Sequence, residues 1–513
     1  MTVSTLSVAL VGLQGHIIEV ETHVGRGLVA FTLVGLPDAS LRESKERVRA
    51  ALQTCGLEVL DRHIIVNLSP AGLPKSGSGF DLAIAVSVLI ATKKIRPEPF
   101  AHAVLVAEIA LDGTLRPVPG VLPALIAAQR KGVVRAIVAP ENVQEAELVP
   151  GIEVISHGHL SDVVMWAGGR ADKPPQNTRR NFMADSSDLA HATSTYAGDI
   201  SDIRGQNYAI EALEVAAAGG HHLHCVGEPG SGKTMLIQRM PTILPALDDE
   251  IAMTTTAIHS LAGVLLSKQG LIRQPPLQSP HHSVTMPALI GGGSPVLRPG
   301  AVSLAHGGVL FLDEAPEFSP RVLDALRQPL EEGEVSIHRA RGHTRFPADF
   351  QLVLASNPCP CGGGNRVKKC TCSSIQRRRY QARLSGPLLD RIDITVGMRA
   401  PTRADLLAPS IYTSAQIKDR VSEARARAAY RLRDTQWHMN RQVTGSWLRQ
   451  CSQIPVSIVK ALDEAVDRSD ITMRGADRIL RVMWTAADLE GATRPDDSHL
   501  GFALSLRTGG AYV

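Results

Sequence analysis

The feature that most constrains this 513-residue chain is a glycine-rich segment, residues 227–234, with the pattern G-x-x-x-x-G-K-T. An apolar stretch, residues 224–226, precedes it, and a segment of helical character, residues 235–239, follows it. This order of strand, loop and helix is typical of a phosphate-binding loop. Its glycines let backbone N–H groups surround phosphate oxygens, and the helix N-terminus faces the same anion. The sequence therefore predicts a nucleotide site; the alternative, a chance glycine-rich turn, does not explain the flanking segments.

The loop residues have distinct expected roles in binding ATP. Lys233 is expected to reach the outer phosphates, and the Thr234 hydroxyl to bind Mg²⁺. ATP and Mg²⁺ are therefore the predicted cofactors. The residues predicted to bind them are Gly227, Glu228, Pro229, Gly230, Ser231, Gly232, Lys233 and Thr234, together with Asp313.

A second apolar run, residues 308–312, ends in the two acids Asp313 and Glu314. At the end of a strand beside the phosphate loop, Asp313 would hold Mg²⁺ through water, and Glu314 would polarise the attacking water. A strand leaving any core can carry such a pair of acids by chance. Their position downstream of a phosphate loop favours the catalytic interpretation.

Two residues further along the chain also fit ATP hydrolysis. Asn357 ends another apolar strand, residues 350–356, and fits a sensor that helps to position water near the γ-phosphate. Arg391 fits a group that stabilises transition-state charge, because a guanidinium is permanently ionised and forks to phosphate oxygens. The alternative for Arg391 is a salt bridge to Asp390 or Asp393.

Composition limits the setting in which the chain works. It is 44% hydrophobic and 20% charged, and its longest apolar run, residues 82–91, is far below the ~20 residues that a membrane span requires. The N-terminus lacks the basic region of a secretory signal. Seven cysteines, four of them close together, suit a reducing compartment better than a disulfide framework. We therefore expect a cytoplasmic protein without membrane contact. Because the net charge is only +4, any nucleic-acid site must consist of a local cluster of basic residues.

Residues 1–167 alternate strand-like and helical runs, which indicates one α+β domain. Residues 67–82 and 108–117 resemble the proteolytic domain of Lon proteases, whose fold also resembles ribosomal protein S5. Lon-type peptidases use a Ser–Lys dyad. The family pattern places Gly79 at the nucleophile position, and the segment expected to supply the lysine has none. Ser78 is one position out of register and lacks a nearby base, so we expect a structural domain that is inactive as a protease.

Four segments in the second half of the chain carry another resemblance. They are residues 303–314, 326–333, 357–362 and 384–393. They resemble the magnesium-chelatase-like AAA+ ATPases, and more narrowly the ComM (YifB) competence family, which joins a Lon-like N-domain to such a motor.

This resemblance implies roles for two arginines. Arg391 would be the arginine finger that acts on a neighbouring subunit, and Arg474, on a lid helix within residues 473–482, would be the second sensor. Because a finger that acts on a neighbour requires an adjacent copy, the resemblance implies a homo-oligomeric ring, typically a hexamer. The complete set of predicted catalytic residues is Lys233, Glu314, Asn357, Arg391 and Arg474.

The chain departs from the family pattern at two places. His281 and His282 follow Gln278, where the family usually carries a basic residue, and Met483 and Trp484 replace small and basic residues of the lid. Both departures leave the substrate contacts open.

The predicted architecture is a multidomain α/β protein. Residues 1–167 form the Lon-like/S5-like domain and residues 168–200 a polar linker. Residues 201–398 form the AAA+ P-loop ATPase core, which includes a cysteine loop at 359–372, and residues 399–513 form a helical lid.

That cysteine loop carries the pattern C-x-C…C-x-C. Four thiolates at this spacing can close a tetrahedral S₄ site, for which we favour structural Zn²⁺. Reduced thiols and an iron–sulfur cluster are the alternatives. The predicted ligands are Cys359, Cys361, Cys370 and Cys372, whereas Cys55, Cys225 and Cys451 are expected to be ordinary core residues.

Basic side chains that could contact a substrate cluster in three places. Arg339 and Arg341 lie in an expected hairpin before the sensor strand and could follow the phosphates of single- or double-stranded DNA. Related ring helicases project hairpins from this position and from one that corresponds to residues 289–298. The other two basic clusters are residues 368–379 and the helix at 418–433. Charged turns on a solvated face are the alternative for each.

The combined prediction is an ATP-driven ring motor that acts on DNA. By its resemblance to the ComM family, it would be a helicase or branch-migration factor that aids homologous recombination during natural transformation, with recombination proteins as candidate partners. The alternative is a chelatase-type AAA+ motor that remodels a protein partner. A Lon-like protease is a third hypothesis, against which the missing dyad argues. DNA-dependent ATP hydrolysis would separate the first two, and peptide release would reveal the third.

Overall fold

The structure is a computed structural model that describes most of the chain. Most of the predicted linker lies outside the described residues, as do Arg341, Cys451 and the side chain of Arg339. The described residues are 2–25, 28–35, 39–57, 62–73, 75, 77–172, 198–265, 270–293, 297–339, 342–362, 370–408, 410–450 and 453–508.

The N-terminal part of the chain is built on a mixed sheet flanked by helices. Its strands are β1 (Thr2–Val11), β2 (Gln14–Gly25), β3 (Ala30–Val34), β4 (His63–Ser69), β5 (Ala103–Val106), β6 (Glu108–Ile109), β7 (Leu115–Arg116), β8 (Arg135–Val138) and β9 (Glu153–Ser156). Its helices are α1 (Ala39–Thr54), α2 (Asp81–Ala91), α3 (Val121–Arg130), α4 (Val143–Ala146) and α5 (Leu160–Trp166). Seven strands form one sheet in the order β3-β4-β2-β1-β5-β8-β9, and β6 pairs with β7. The α+β organisation predicted for this region is therefore confirmed.

Helix α2 contains the longest apolar run of the sequence. Its residues from Asp81 to Ile90 are all buried. A helix that is apolar on every face must be covered on every face, and α2 packs against α1, β1, β2 and β5. The one acid of this helix, Asp81, accepts a hydrogen bond of 2.7 Å from Arg47 Nε. The run is thus the centre of the domain and not a membrane segment.

The central part of the chain carries the elements around the glycine-rich loop. Its strands are β10 (Leu223–Gly227), β11 (Leu277–Gln278), β12 (Gly291–Gly292), β13 (Arg298–Pro299), β14 (Val309–Leu312), β15 (Glu334–Arg339), β16 (Gly342–Pro347), β17 (Gln351–Ser356) and β18 (Ile394–Met398). Its helices are α6 (Asn207–Gly219), α7 (Lys233–Gln238), α8 (Met240–Ile243), α9 (Asp249–Ala262), α10 (Met286–Ile290), α11 (Ala301–Leu304), α12 (Pro320–Asp324), α13 (Arg327–Glu332), α14 (Ser374–Gln381) and α15 (Gly386–Leu389).

Five of these strands form a sheet in the order β11-β14-β17-β10-β18, in which every pair of neighbours is parallel. The carboxyl ends of parallel strands lie at one edge of the sheet, where ligands of open α/β sheets bind. The segments that follow β10, β14 and β17 therefore meet at this edge, which we call the carboxyl edge. Antiparallel pairs β12–β13 and β15–β16 form two hairpins outside the sheet.

The last part of the chain is helical. Its helices are α16 (Arg403–Leu407), α17 (Ser414–Leu432), α18 (Gly445–Gln450), α19 (Val456–Asp467), α20 (Met473–Glu490) and α21 (Asp497–Thr508). Helices α17 and α20 pack against α6 of the central part. Met483 and Trp484, which depart from the family pattern, are buried in this packing with 0% and 1% exposure. These two residues therefore shape the core and are not placed to contact a substrate.

The N-terminal and central parts touch through α3 and α9. The backbone N–H of Gly120 donates to the carbonyl oxygen of Ser260 at 3.1 Å. Ala257 of α9 lies in the same buried cluster as Leu122 and Val104 of the N-terminal part. The two parts thus share a small hydrophobic core.

Candidate nucleotide-binding and hydrolysis site

The glycine-rich loop connects β10 to α7 at the carboxyl edge. Gly230 and Gly232 have φ values of +78° and +88°, a region that residues with a Cβ rarely adopt. The Lys233 ammonium donates to the carbonyl oxygens of Gly227 at 2.7 Å and Glu228 at 3.0 Å. Burial lowers the pKa of Lys233. The loop therefore folds around its lysine as a phosphate-binding loop does.

The predicted magnesium ligands lie side by side. The Thr234 hydroxyl donates to Asp313 Oδ2 at 2.7 Å, although the two residues come from the ends of different strands. Hydroxyl and carboxylate oxygens are the hard donors that Mg²⁺ prefers. The residues present therefore fit a magnesium ion, which Thr234 and Asp313 would hold.

The predicted base, Glu314, directly follows Asp313 and has an unusual backbone. Its φ of +50° and ψ of +43° are left-handed, which costs energy for a residue with a Cβ. Such conformations cluster at active sites. The Glu314 N–H donates to Asp313 Oδ1 at 2.9 Å, which fixes the acids relative to each other.

Asn357, the predicted sensor, follows β17 at the same edge. Its Oδ1 accepts a hydrogen bond of 3.2 Å from Lys233 Nζ. This contact was not expected from the sequence, because the two residues are separated by 124 positions. The order of the strands accounts for it: β10 and β17 are neighbours, so the residues that follow them are adjacent.

Arg391 and Arg474 lie at the opposite edge. Both line a polar cavity of about 650 Å³, together with His222, Phe350 and Asp393. Those three residues immediately precede β10, β17 and β18, so the cavity is at the amino ends of the strands. Strands of five or six residues separate the two edges by roughly 16–20 Å. Within one chain, neither arginine is placed to reach the phosphate loop.

The sequence suggested a salt bridge to Asp390 or Asp393 as the alternative for Arg391. Arg391 does form an ion pair, but the predicted partners are wrong. Arg391 Nη2 donates to the Glu331 carboxylate, and not to Asp390 or Asp393. Burial, with the nearby charges of Arg474 and Arg327, lowers the pKa of Arg391. Glu331 belongs to segment 326–333, one of the segments that carry the family resemblance. That resemblance was the one sequence signal that could have pointed to Glu331.

Asp393 is instead tied to two other side chains. His221 Nδ1 lies 3.3 Å from Asp393 Oδ2, and Arg478 Nε lies 3.8 Å from Asp393 Oδ1. Burial acts to raise the pKa of Asp393, but the hydrogen bond of His221 and the charges of His221, His222 and Arg481 together outweigh it and lower that pKa. The acid therefore anchors the wall of the cavity.

The four predicted metal ligands converge. Cys359 Sγ lies 3.4 Å from Cys361 Sγ and 3.7 Å from Cys370 Sγ, and the ligand atoms of all four cysteines are within 4.8 Å of one another. Sulfurs around a tetrahedral zinc with Zn–S bonds of ~2.3 Å are about 3.8 Å apart. The cluster is thus already close to the dimensions of a zinc site.

The cysteine cluster also touches the nucleotide loop. A Cβ added to Gly362 would come within 2.5 Å of Pro229 Cγ. Cys359 is buried and lies two residues after the sensor Asn357. The cluster therefore packs against the phosphate loop from the side of the sensor strand.

The basic clusters have different outcomes. The hairpin β15–β16 forms as expected before the sensor strand, and His338 faces His343 across it with ring centroids 4.3 Å apart. The side chain of Arg339 and all of Arg341 lie outside the described residues, so their contact with DNA stays a prediction. Lys368 and Lys369 of the second cluster also lie outside.

Part of the basic helix α17 is structural. Arg425 donates to the carbonyl oxygen of Ala217, and Arg420 forms a pair with Glu214 at 2.6 Å. Burial lowers the pKa of Arg425 to about 10. These two arginines hold α17 on the central part.

In the N-terminal domain, the segment that resembles Lon proteases forms a loop before α2. The carbonyl oxygen of Ser78 accepts the N–H of Asp81 at 3.1 Å. Lys75 is buried, and its ammonium donates to the carbonyl oxygen of Gly35 at 3.1 Å. Residues 121–128, where the dyad lysine was sought, form the start of α3. Protease inactivity stays a prediction.

A parallel sheet with a phosphate loop, paired acids and a sensor at its carboxyl edge defines a P-loop ATPase core of the AAA+ class. Family models agree: "Magnesium chelatase, subunit ChlI" matches residues 199–406, "Subunit ChlI of Mg-chelatase" matches 20–142, and "Magnesium chelatase, subunit ChlI C-terminal" matches 412–507.

Whole proteins are similar over nearly the full length. An uncharacterised protein of Mycobacterium tuberculosis is 45% identical over 98% of each chain. The competence protein ComM of Haemophilus influenzae is 40% identical over 97% of this chain and 96% of its own. YifB of Escherichia coli is 38% identical over the same shares. The chain belongs to the magnesium-chelatase-like ComM family, whose AAA+ core implies ATPase activity with ATP and Mg²⁺.

Two further observations concern the predictions about the N-terminal domain and the membrane. A stretch covering 29% of this chain is 30% identical to Lon protease 2 of Bacillus subtilis, in agreement with the Lon-like N-terminal fold. Among the helices of the described residues, none combines the length and apolar character needed to cross a membrane.

Proposed function

We propose that this protein is an ATP-hydrolysing ring motor that acts on DNA. The observation that carries the proposal is the separation of the hydrolytic groups onto two edges of one sheet. Lys233, Asp313 and Glu314 lie at the carboxyl edge, and Arg391 and Arg474 line the cavity at the other. A complete site then requires the carboxyl edge of one subunit and the cavity of the next. Repetition of this head-to-tail contact closes a ring, for which we propose six subunits.

The residues of one interface would divide the reaction between them. Lys233 binds the outer phosphates of ATP, and Thr234 and Asp313 would hold Mg²⁺, which would neutralise phosphate charge. Glu314 accepts a proton from the attacking water, while Asn357 orients it. Arg391 and Arg474 of the next subunit stabilise the charge that develops on the transferred phosphoryl group.

DNA is the proposed substrate because of the hairpins and the relatives. The hairpin β15–β16 leads directly into the sensor strand β17, and Asn357 follows that strand. A movement of the hairpin tip would therefore displace Asn357. Arg339 and Arg341 at that tip would contact DNA phosphates. The relative from Haemophilus influenzae is named a competence protein. We therefore propose helicase or branch-migration activity in the cytoplasm, in support of recombination during natural transformation and together with recombination proteins.

Zn²⁺ is the proposed occupant of the cysteine cluster. Cys359, Cys361, Cys370 and Cys372 would hold it in a closed tetrahedral site, as in structural zinc centres. The spacing of the sulfur atoms supports zinc, because the thiolates need little movement to bind it. In this site the ion would stabilise the loop that packs on Pro229, without taking part in the chemistry.

A chelatase-type motor that remodels a protein partner is the second candidate. The family models that match three regions of the chain are all named after a magnesium-chelatase subunit. Such a motor would use the same ATPase site, so the site does not separate the two functions. Only the response to DNA does.

The test is ATP hydrolysis by the purified protein without DNA, with single-stranded DNA and with branched DNA. Glu314→Gln is the control, because it keeps the shape of the base and removes its basicity. We expect stimulation of several-fold by DNA in the wild type and no hydrolysis in the control. Hydrolysis that does not respond to any DNA would favour the protein-remodelling motor, and absence of hydrolysis would reject both.

A further inference from the structure

Hairpin β15–β16, which leads into the sensor strand, has two different faces. Ile337 lies opposite Thr344, and Phe346 follows on the same face, because side chains alternate along a strand. Thr344 and Phe346 are only 5% and 0% exposed, so this inner face is covered. The opposed pair His338 and His343 lies on the outer face, where both side chains are exposed. The hairpin is therefore held on one side and open to solvent on the other.

The N-terminal domain covers part of the inner face through the turn between β1 and β2. A Cβ added to Gly12, in that turn, would lie 2.5 Å from Thr344 Cγ2 and 3.7 Å from Phe346 Cε1. The φ of Gly12 is +63°, which residues with a Cβ rarely adopt. Because the turn has no side chain at this place, it packs directly on the hairpin.

The second hairpin, β12–β13, meets the same face and is also connected to the N-terminal domain. A Cβ added to Gly291 of β12 would lie 3.1 Å from Ile337 Cδ1. Strand β13 packs against α9, and α9 packs against α3. At the start of α3, a Cβ added to Gly120 would lie 2.5 Å from Leu10 Cδ1 and 3.3 Å from Leu261 Cδ1. The N-terminal domain thus contacts one hairpin through its turn and reaches the other through α9.

We propose that the N-terminal domain supports hairpin β15–β16 and thereby couples DNA binding to ATP hydrolysis. The inference rests on the proposed function and gives a role to a domain that is not expected to be a protease. A two-stranded hairpin is marginally stable by itself. Support on the inner face keeps its strands paired, so a displacement of the tip reaches β17 and Asn357 instead of being lost in the hairpin.

The test replaces Gly12 by alanine in the full chain. The new Cβ must displace Thr344, whose side chain is buried and, being β-branched, has little rotational freedom. The groups around Gly12 belong to the hairpin and not to the phosphate loop. We therefore expect Gly12→Ala to keep hydrolysis without DNA within about twofold of wild type and to reduce the stimulation by DNA to less than about twofold.

Two variants separate the loss of this contact from a general loss of stability. Gly132→Ala is the matched control, because Gly132 has a φ of +81° and an added Cβ would have no described atom within 4 Å. It introduces similar backbone strain without a clash and should keep the stimulation. Gly12→Ala combined with Thr344→Ser removes the clashing methyl group, which leaves 3.4 Å to the Arg345 carbonyl oxygen as the shortest contact. This double variant should regain most of the stimulation.

Amide hydrogen exchange measures the support independently of DNA and ATP. Peptides from β15 and β16 should exchange faster in Gly12→Ala than in Gly132→Ala, because a hairpin without support opens more often. Gly12→Leu, whose side chain is too large for a rotated Thr344 to accommodate, should increase the exchange further. Thermal melting of each variant verifies that it is folded.

Three results would overturn the inference. They are a stimulation by DNA in Gly12→Ala and Gly12→Leu that equals that of Gly132→Ala, a loss that Thr344→Ser does not rescue, and unchanged exchange in the hairpin. The wild type tests the proposed function separately. Hydrolysis that no DNA stimulates in the wild type would reject the DNA motor and this coupling with it, whereas normal stimulation in both wild type and Gly12→Leu would reject the coupling alone.

Discussion

Individual residues at the carboxyl edge do more than their motifs specify. Lys233 donates to Asn357 as well as to its own loop, so the sensor strand and the phosphate loop are joined before any phosphate binds. The Thr234–Asp313 hydrogen bond does the same for the magnesium ligands. Because these side chains are already ordered, they lose little conformational entropy when a nucleotide binds, which favours both affinity and catalysis.

At the same scale, the cysteine ligands predict a measurable metal content. We expect the purified wild type to contain about one zinc per chain, and Cys370→Ser to lose it, because three thiolates bind zinc far less tightly than four. Atomic emission spectroscopy measures this directly. Cys55→Ala, at a buried cysteine outside the cluster, should keep the metal. Iron in place of zinc, or no metal in the wild type, would contradict the proposal.

Among the elements, α9 is the joint between the N-terminal domain and the motor. It packs against α3 on one side and against α11 and β13 on the other. Its Ser260 hydroxyl donates to Glu145 of α4, which also accepts the Leu122 N–H at 2.8 Å. One partly buried carboxylate thus ties α3, α4 and α9 together.

The Glu145 carboxylate makes the stability of the folded protein depend on pH. Burial raises the pKa of Glu145, so the folded protein holds this proton more tightly than the unfolded chain. The stabilisation is then complete below the unfolded pKa of ~4.3 and is lost as the pH rises through the folded value. Glu145→Gln stays neutral, and we expect it to melt above the wild type at pH 7, with a difference that shrinks below about pH 4.

Two variants control this experiment. Glu145→Ala leaves the Leu122 N–H without its acceptor and should cost about 1–3 kcal/mol at any pH. Glu153→Gln removes an exposed partner of Arg135 and should have little effect. A Glu145→Gln protein that is destabilised as much as Glu145→Ala at neutral pH would show that the charge itself is needed.

For the whole molecule, the important feature is that the phosphate loop and the pair Arg391 and Arg474 lie at opposite edges of one sheet. Under the proposed function, this arrangement would make hydrolysis depend on assembly, because the arginines of a lone subunit lie at the opposite edge of the sheet from its own phosphate loop. Arg391 is paired with Glu331 in the single chain, and in the proposed ring that pair would have to open for Arg391 to reach a neighbour's phosphate. Assembly, nucleotide binding and hydrolysis would thus be linked.

Mixing of variants tests this division of the site. Arg391→Ala keeps the phosphate loop and lacks the finger, and Lys233→Ala has the reverse defect. Each alone should lose activity by a factor on the order of 10³. A 1:1 mixture should recover up to about a quarter of the wild-type rate, because random neighbours form one productive interface in about four.

The matched control is a mixture of Arg391→Ala with Arg474→Ala. Both defects lie on the same side of every interface, so we expect no recovery. A mixture of Arg391→Ala and Lys233→Ala that is no more active than its components, although both assemble, would place Arg391 in the site of its own chain.

Much of this protein could be predicted from the order of residues alone. The phosphate loop, the paired acids, the sensor strand and the cysteine pairs are each encoded in a few consecutive residues. These patterns can be recognised without knowledge of the fold, because glycine conformations, strand ends and thiolate spacing are local properties. The α+β character of the N-terminal domain and the P-loop class of the motor were predicted for the same reason.

Tertiary structure decided which of these residues meet. The strand order β11-β14-β17-β10-β18 places His282 beside Glu314 and Asn357 beside Lys233, and no local pattern contains that order. It also separates Arg391 from the phosphate loop and pairs it with Glu331 instead of its sequence neighbours. The basic helix α17 has the sequence pattern of a solvated helix, yet Arg425 is partly buried and donates to the carbonyl oxygen of Ala217. Contacts between distant segments depend on how sheets and helices pack, and this information is spread over the whole chain.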